Sequence, residues 1–319
     1  MKIVYNGEND TRTFKDVIPA TIAAIAAEDP DYIYLDADLM NCIGTVKFAQ
    51  ANPDKGIDCG IAEANMVGVA GGLAAVGFKP IVHSFGTFSS RRCFDQAFLS
   101  GGYAKNPITI LGSDPGVTAA LNGGTHMPFE DVALYRALPE ATVIDITDPT
   151  MMIDVLWKAK DMPGVKYIRF PRKNAVKIYA DDTTFTIGKG NVLRDGKDVT
   201  IIACGIMVGM AMAAAEQLVK EGIDAAVIDM FTIKPLDEEL VAEYAKKTGA
   251  VVTAENHNKI GGLYEAVCAT LAAKCPTPVE YVAIEDEFGE VGPQSYLEQR
   301  FDLTPAHIVA QAKAAVARK

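Results

Sequence analysis

Short apolar runs alternate with longer amphipathic segments along most of the chain. The runs that begin at Asp31 (DYIYLDAD) and Lys79 (KPIVHSF) are rich in Val, Ile and Tyr and are bounded by turn residues, which predicts strands. Three more strands are predicted from the runs that begin at Pro107, Thr142 and Val165. Helices are predicted between them near 14–28, 61–77, 89–104, 129–137 and 149–160. Apolar strands that alternate with helices indicate a doubly wound α/β domain with a mainly parallel sheet.

A polar stretch interrupts this alternation between the two halves of the chain. The segment RKNAVKIYADDTTFTIGKGNVLRDGKDVT carries turn signals at Gly188, Gly190 and Gly196, which indicates a linker. Four more apolar runs follow, with helices predicted near 206–221, 236–247, 262–273 and 304–317. The pattern therefore predicts an α/β domain over residues 1–174, a linker over 175–190 and a second doubly wound α/β domain over 191–319.

Composition and charge narrow the class of protein. The 319 residues are 49% hydrophobic and 22% charged, as in a soluble globular protein, and the net charge of −11 argues against a nucleic-acid surface. No signal pattern or membrane-spanning apolar run is visible, so we expect a cytoplasmic protein that binds no membrane. Six scattered cysteines without a CxxC pair argue against iron–sulfur clusters and structural zinc, and no metal ligand is predicted on this chain.

One acidic residue, Glu63, lies in the first turn of an otherwise small and apolar helix. An acid at this position can simply complement the positive end of the helix dipole, and position alone favours that capping role. The helix is rich in small residues, which indicates close packing against another backbone: Gly68, Ala70, Gly71, Gly72 and Ala74. A carboxylate at the edge of such an interface needs a partner and could exchange a proton with a ligand nitrogen.

The stretch SFGTFSSRRCFDQ could form one wall of a ligand site. It follows a predicted strand and places Phe85, Phe88 and Phe94 around a strand-to-helix turn, where ligands of α/β sheets bind. Together the rings could stack on a flat group, although core packing is the ordinary role of any single Phe. Arg91 and Arg92 in the same turn could hold an anion or be plain surface charge.

Two later stretches also follow predicted strands. SDPGVTAALNGGTHMPFED is a long loop that carries His126, a possible hydrogen-bond donor or acid–base group, although an isolated loop histidine is more often a surface residue. IRFPRKN ends a strand with Arg172, whose guanidinium suits phosphate recognition, the alternative being a solvated cationic turn.

In this order, the motifs together resemble the C-terminal half of transketolase. The Glu63 helix is followed by GTF, DPG…GGTH, RFPRKN, DVTIIACG and ENHNKIGGLYEAV, which covers nearly the whole chain. The resemblance implies a thiamine-diphosphate pyrimidine-binding domain followed by a transketolase C-terminal domain. The chain is also similar to the matching parts of deoxyxylulose-phosphate synthase and of the E1 β chains of 2-oxo-acid dehydrogenases.

The resemblance implies a cofactor site around Glu63. In the family, the glutamate at this position hydrogen-bonds N1′ of the thiamine aminopyrimidine and drives its amino–imino tautomerisation, so Glu63 is expected to be catalytic. Phe88 matches the aromatic residue that stacks on the pyrimidine, with Phe85 and Phe94 as its neighbours. Arg91 corresponds to an arginine near the aromatic cluster in the synthase, and Arg92 is the alternative for that position.

The resemblance also assigns residues to the sugar. His126 matches the histidine of the GxTH motif near the donor's C1 hydroxyl and is the second expected catalytic residue. Arg172 matches a phosphate-binding arginine, and Arg12, in TRTF, resembles a second one. Asn122 stands where an aspartate normally contacts the donor near its C2 hydroxyl.

A partner subunit is the main expectation for assembly. No GDG…N motif, which holds the diphosphate and its metal in the family, occurs in the chain. The resemblance therefore implies one half of a split transketolase, inactive alone. An N-terminal subunit would carry that motif, bind Mg²⁺ or Ca²⁺ and share the thiamine diphosphate in an α2β2 tetramer. Phosphorylated sugars, as in the pentose phosphate pathway, are the expected substrates.

Three positions depart from the usual transketolase pattern. Asn122 replaces an acid, Met127 replaces a Gln and Ser113 stands where a His often stands. An amide both donates and accepts hydrogen bonds, whereas a carboxylate only accepts them, so we expect a different preferred sugar. A branched, deoxy or sulfonated sugar phosphate analogue is the leading hypothesis, rather than xylulose 5-phosphate.

Several alternatives stay open on the sequence. An E1 β-type subunit of a 2-oxo-acid dehydrogenase or a deoxyxylulose-phosphate-synthase-like enzyme would share these motifs. A nicotinamide-dependent dehydrogenase is disfavoured because GVAGGLAAVG lies within a predicted helix and precedes a strand. A non-catalytic scaffold is disfavoured by the joint presence of Glu63, Phe88, His126 and Arg172. No role is assigned to His83.

Overall fold

The computed structural model describes residues 2–319 and contains two sheets. The strands are β1 (Tyr32–Asp36), β2 (Gly56–Asp58), β3 (Lys79–Phe85), β4 (Ile108–Ser113), β5 (Thr142–Asp145), β6 (Val165–Phe170), β7 (Asn191–Arg194), β8 (Val199–Ala203), β9 (Ala225–Asp229), β10 (Thr232–Lys234), β11 (Val251–Asn258) and β12 (Val279–Ile284). The first sheet has the order β10-β5-β6-β4-β3-β1-β2, and the second has the order β12-β11-β8-β9-β7. Pairing is parallel except for β10 with β5 and β7 with β9.

Helices connect the strands and cover the sheets. They are α1 (Phe14–Glu28), α2 (Met40–Ile43), α3 (Val46–Ala51), α4 (Glu63–Ala75), α5 (Gly86–Ser90), α6 (Phe94–Gln96), α7 (Asp131–Ala137), α8 (Pro149–Ala159), α9 (Met207–Lys220), α10 (Glu238–Thr248), α11 (Leu263–Lys274), α12 (Gln294–Arg300) and α13 (Pro305–Val316). The start of α1 is fixed by a capping box between Thr13 and Asp16. The predicted fold class, two α/β domains with mainly parallel sheets, is confirmed. Within residues 2–319, no helix combines the length and the apolar character needed to cross a membrane.

One strand of the first sheet comes from the second half of the chain. The three-residue strand β10 pairs antiparallel with β5, so the two halves share this sheet. A strand this short, directly followed by Pro235, leaves no periodic pattern to recognise. Five other short elements were also not predicted: α2, α3, β2, β7 and α12.

Two segments differ in detail from the sequence prediction. The helix predicted near 89–104 is broken into α5, a 3₁₀ turn at Arg91–Cys93, α6 and a π-helix at Ala97–Tyr103. Such changes of hydrogen-bond register bend a helix and often occur at functional sites. The segment predicted as a long loop contains two 3₁₀ turns, Gly116–Asn122 and Gly124–His126.

The carboxyl ends of β1, β3, β4 and β6 meet along one edge of the first sheet. Asp36 lies opposite His83, and Ser113 lies between Phe85 and Phe170 in the parallel register. Because ligands of open α/β sheets bind outside the carboxyl ends of the strands, this edge positions the candidate site.

A fully buried ion cluster joins the two halves of the chain. Arg169 of β6 lies 3.1 Å from the Asp131 carboxylate and 3.5 Å from that of Asp145. Its third contact crosses to β11, where Nη2 donates to the Asn256 carbonyl at 3.0 Å. The Asn256 side chain in turn accepts from Val117 N at 3.0 Å. Burial raises the pKa of Asp145 to about 6, although the charge of Arg169 opposes this shift.

We predict that Arg169→Met lowers the free energy of unfolding by about 3–5 kcal/mol, because it leaves two buried carboxylates without their cation. Urea denaturation of the isolated chain measures this loss. The matched control is Arg300→Met, which removes a half-exposed pair with Glu287 and is expected to cost about 0–1 kcal/mol. Equal losses in the two variants would contradict a structural role for the buried cluster.

Candidate active site

The Glu63 carboxylate is buried at the first residue of α4. Only 2% of the residue is exposed, and both of its oxygens accept from Arg92 Nη1, at 2.9 and 3.1 Å. The residue before the helix makes no side-chain cap, and the Glu63 oxygens meet a guanidinium instead of backbone N–H groups. The ion pair therefore supplies the partner that a buried carboxylate requires, and capping is not the main contact of this side chain.

Arg91 and Arg92 take different partners. The Arg92 guanidinium lies 4.3 Å above the centre of the Phe88 ring while it binds Glu63. Arg91, which the resemblance favoured, forms a 2.8 Å pair with Glu130. The residue that reaches the Glu63 carboxylate is thus Arg92, because the 3₁₀ turn at this point directs the two adjacent side chains differently.

Two aromatic rings and one imidazole pack together beside this pair. The ring centres of Phe88 and His126 are 5.1 Å apart, those of Phe85 and His126 are 5.9 Å apart, and both contacts are edge-on. Phe85 and Phe88 lie 6.2 Å apart. His126 Nδ1 also hydrogen-bonds the Thr125 hydroxyl at 2.9 Å. The structure therefore brings together three residues that the sequence analysis selected from two separate motifs.

An open cleft of about 550 Å³ lies over these residues. Its lining comes from α5, the 3₁₀ turn that follows it and the GGTH turn: Thr87, Phe88, Arg91, Arg92, Thr125 and His126. Asn122 lies at the end of the preceding 3₁₀ turn and is exposed. The backbone of Ala120 has φ +49°, an uncommon value for a residue with a side chain, so this turn is held in a specific shape.

Arg172 lies at the same strand-end edge, paired with an acid that the sequence analysis missed. Asp114 accepts from Arg172 Nε at 2.5 Å and from its backbone N at 3.2 Å. The guanidinium carbon lies 4.8 Å from the centre of the Phe85 ring. Burial alone would lower the pKa of Arg172, but the hydrogen bond and charge of Asp114 raise it, so the guanidinium stays charged. The available signal for Asp114 was an acid directly after a predicted strand.

Two expected site residues lie in other surroundings. The Phe94 ring packs 5.8 Å from the Tyr135 ring and 6.2 Å from the Phe98 ring, and its aromatic contacts do not include Phe85 or Phe88. The Arg12 guanidinium pairs with Asp10 at 2.9 Å and Asp181 at 2.8 Å.

Each environment has a physical reason. Phe94 points into the core because the broken helix turns it away from the cleft. The Arg12 side chain is already held by its two acidic partners.

The cleft fits the pyrimidine half of thiamine diphosphate, the cofactor that the resemblance implies. A flat aminopyrimidine needs an aromatic face and a carboxylate at its edge. Phe88 lines the cleft, and the Glu63 carboxylate lies behind it, reached by the Arg92 guanidinium that also stacks on Phe88. Within residues 2–319, no group of three or more His, Cys, Asp or Glu side chains is arranged to hold a metal ion.

Comparisons with known proteins match both halves of the chain. Residues 10–177 match the pyrimidine-binding domain of transketolase, and residues 188–308 match the transketolase C-terminal domain. The 6-deoxy-6-sulfo-D-fructose transketolase subunit SqwH of Clostridium sp. (strain MSTE9) is 46% identical over 305 residues, which cover 96% of this chain and 95% of that protein. One of the subunits of the apulose-4-phosphate transketolase of Phocaeicola vulgatus is 35% identical over 268 residues, covering 84% and 86%.

A solved structure described as a split gene transketolase, inactive beta4 tetramer, is also similar. Its TM-score is 0.89 at 38% identity, and the match covers 96% of this chain and 98% of that one. The likeness extends over both sheets.

We predict that Arg92→Ala lowers the free energy of unfolding by about 1–3 kcal/mol, because it leaves the buried Glu63 carboxylate without a donor. Arg91→Ala should cost about 0–1 kcal/mol, since Arg91 and Glu130 are both exposed enough to be solvated. Urea denaturation measures both losses.

A double variant isolates the pair itself. Glu63→Gln with Arg92→Ala should lose less stability than the sum of the single changes, by a coupling energy of about 0.5–3 kcal/mol. Strict additivity would show that the two side chains do not depend on each other.

Proposed function

This chain belongs to the transketolase family, and we propose that it is the C-terminal subunit of a split transketolase that acts on a sulfonated or phosphorylated ketose. It would transfer a two-carbon ketol unit from that ketose to an aldose acceptor. The observation that carries the proposal is the buried Glu63 carboxylate, which one guanidinium, that of Arg92, links to the Phe88 ring at a cleft that is also lined by His126.

Glu63 is proposed to hold and protonate the cofactor ring. Bound thiamine diphosphate supplies the carbanion chemistry that breaks the bond next to a ketose carbonyl. Glu63 would hydrogen-bond the pyrimidine N1′ and exchange a proton there, while Phe88 supports the face of the ring. His126, edge-on to Phe88 at 5.1 Å, would donate a hydrogen bond to the sugar.

Arg92 contacts both groups that the pyrimidine would use, the Phe88 ring and the Glu63 carboxylate. Its guanidinium is planar, stacks on Phe88 and donates to Glu63, so it makes the same two contacts as an aminopyrimidine. Ring and guanidinium cannot both lie there. Cofactor binding would therefore replace the guanidinium with the pyrimidine ring, with a proton shared between Glu63 and the ring nitrogen. Arg92, whose side chain is 49% exposed, has room to move away.

A partner subunit is proposed to complete the site. The partner would carry the GDG…N motif, hold the diphosphate with Mg²⁺ or Ca²⁺ and assemble as α2β2. Exposed apolar side chains on and next to α4 and on the π-helix support a protein contact there: Ile61, Val69, Val76, Leu99 and Tyr103. The inactive state in the description of the similar tetramer is consistent with chains that need a partner.

The proposed donor is a six-carbon ketose with a terminal sulfonate, or a close phosphate analogue. SqwH, the relative with 46% identity, is named for 6-deoxy-6-sulfo-D-fructose. Arg172 would receive the anionic end of such a donor, and Asn122 would replace an acid near the sugar hydroxyls. The named activities of both curated relatives favour a ketol transferase over the dehydrogenase E1 β alternative.

We predict that Glu63→Gln abolishes most turnover of the complex with the partner subunit. General acid–base catalysis contributes roughly 100-fold or more, so a loss of at least this size is expected. Calorimetric titration with thiamine diphosphate provides a readout independent of turnover and should show weaker binding.

The control is Glu221→Gln, an exposed glutamate at the end of α9, which should leave rate and binding unchanged. Near-normal turnover of Glu63→Gln would show that this carboxylate does not serve the cofactor.

We predict that the complex prefers 6-deoxy-6-sulfofructose over xylulose 5-phosphate as donor, with kcat/KM measured for each at fixed acceptor. Asn122→Asp should shift the ratio toward xylulose 5-phosphate by about tenfold, which corresponds to about 1.4 kcal/mol. Ordinary turnover of xylulose 5-phosphate with ribose 5-phosphate by the unchanged complex would overturn the proposed substrate class.

A further inference from the structure

A row of buried polar side chains crosses three strand ends close to Arg172. His83 Nδ1 lies 2.8 Å from Asp36 Oδ2, and His83 Nε2 lies 3.0 Å from Ser113 Oγ. The accessible surface of Asp36, His83 and Ser113 is 0% in each case. None of these contacts was expected from the sequence, which gave His83 no role and marked Ser113 only as a departure from the family pattern.

The hydrogen-bond directions in this row are fixed by Asp36. Its Oδ2 also accepts from the Tyr34 hydroxyl, and its Oδ1 accepts from the backbone N–H of Leu39. A carboxylate that only accepts requires a proton on His83 Nδ1. In the neutral imidazole, Nε2 then accepts from the Ser113 hydroxyl, so the orientation of Ser113 is set by the ring.

The same connectivity occurs in Ser–His–Asp hydrolases, but the surroundings here exclude that chemistry. A nucleophilic serine must meet a substrate carbonyl, and Ser113 is completely buried at the end of β4. The row therefore acts on its neighbours and not on a bound ligand.

The side chains next to this row lie at the strand-end edge that carries Arg172. Side chains two residues apart on a strand share a face, so His83 and Phe85 point to the same side of the sheet, and Ser113 lies opposite Phe85. Arg172 lies over that Phe85 ring at 4.8 Å. The His83 ring is also 6.4 Å from the Phe170 ring. The imidazole thus lies on the same face of the sheet as the Phe85 ring that Arg172 covers.

One peptide bond and one ion pair connect Ser113 to the Arg172 guanidinium. The next residue, Asp114, has φ +55°, an uncommon conformation that requires support from its surroundings. Its carboxylate holds Arg172 Nε and Nη2, each at 2.5 Å. A displaced Ser113 would move Asp114, and Asp114 would move the charge that Arg172 presents.

We propose that His83 is a positioning residue that fixes Arg172, through Ser113 and Asp114, against the charged end of the donor sugar. This inference rests on the proposed function, because Arg172 receives the donor's sulfonate or phosphate in it. Ser113 stands where a histidine often stands in the family, and the His83 imidazole on the neighbouring strand hydrogen-bonds its hydroxyl.

The test compares charged and uncharged donors in the complex with the partner subunit. His83→Gln should raise KM for 6-deoxy-6-sulfofructose and for fructose 6-phosphate about tenfold. The value of kcat should change less than about twofold, because the lost contact binds substrate and transition state equally. KM for erythrulose, which has no anionic end, should stay unchanged. Ser113→Ala removes only the hydroxyl and should reproduce the same split even if His83→Gln folds poorly.

Two further measurements separate this inference from the proposed function. Calorimetric titration with inorganic sulfate should show about tenfold weaker binding in both variants, whether or not a donor is turned over. His307→Gln, a histidine on α13 bonded to Gln311, is the matched control and should change nothing.

Equal changes in KM for charged and uncharged donors, or unchanged sulfate binding, would overturn the role of His83. Absence of ketol transfer in the unchanged complex, with sulfate binding weakened as expected, would overturn the proposed function alone.

Discussion

A buried carboxylate cannot remain without a partner, and the candidate site is built around this constraint at Glu63. Its partner, Arg92, comes from a different element, and the chain from Gly86 to Tyr103 changes hydrogen-bond register several times around it. One of these turns places Phe88 beneath the guanidinium. The acid, the cation and the aromatic face therefore form one unit, in which each group fixes the surroundings of the others.

Other buried carboxylates near the carboxyl edge of the first sheet are also paired with basic side chains. Asp36 pairs with His83, Asp114 with Arg172, and Asp131 with Arg169. Burying such charges costs desolvation energy, which makes each pair weak support for stability taken alone. Our interpretation is that the pairs hold side chains at defined positions along the edge where a sugar would bind.

Much of this organisation follows from patterns that are local in the sequence. Continuous apolar strands and periodic helices predicted both α/β units. Phe88 and His126 were candidates because they follow predicted strands, and Glu63 was a candidate because it is an acid in the first turn of a helix of small residues. The choice between Arg91 and Arg92 depends on a 3₁₀ turn, which leaves no recognisable hydrophobic periodicity in the sequence. The environment of Phe94 and the pairing of β10 depend on contacts distant in the chain, which one sequence does not encode locally.

The same constraint connects the free chain with the proposed complex. While the chain is alone, Arg92 neutralises Glu63 and shields the Phe88 face, so the half-site is stable without any ligand. A pyrimidine ring would have to offer both contacts at once to take its place, because either contact alone leaves a buried charge or an exposed aromatic face. In the proposed complex, the pyrimidine would displace Arg92 only when the diphosphate is also held, and that part of the site would come from the partner subunit. Under this proposal, dependence on a partner would follow from how the Glu63 carboxylate is paired in the free chain.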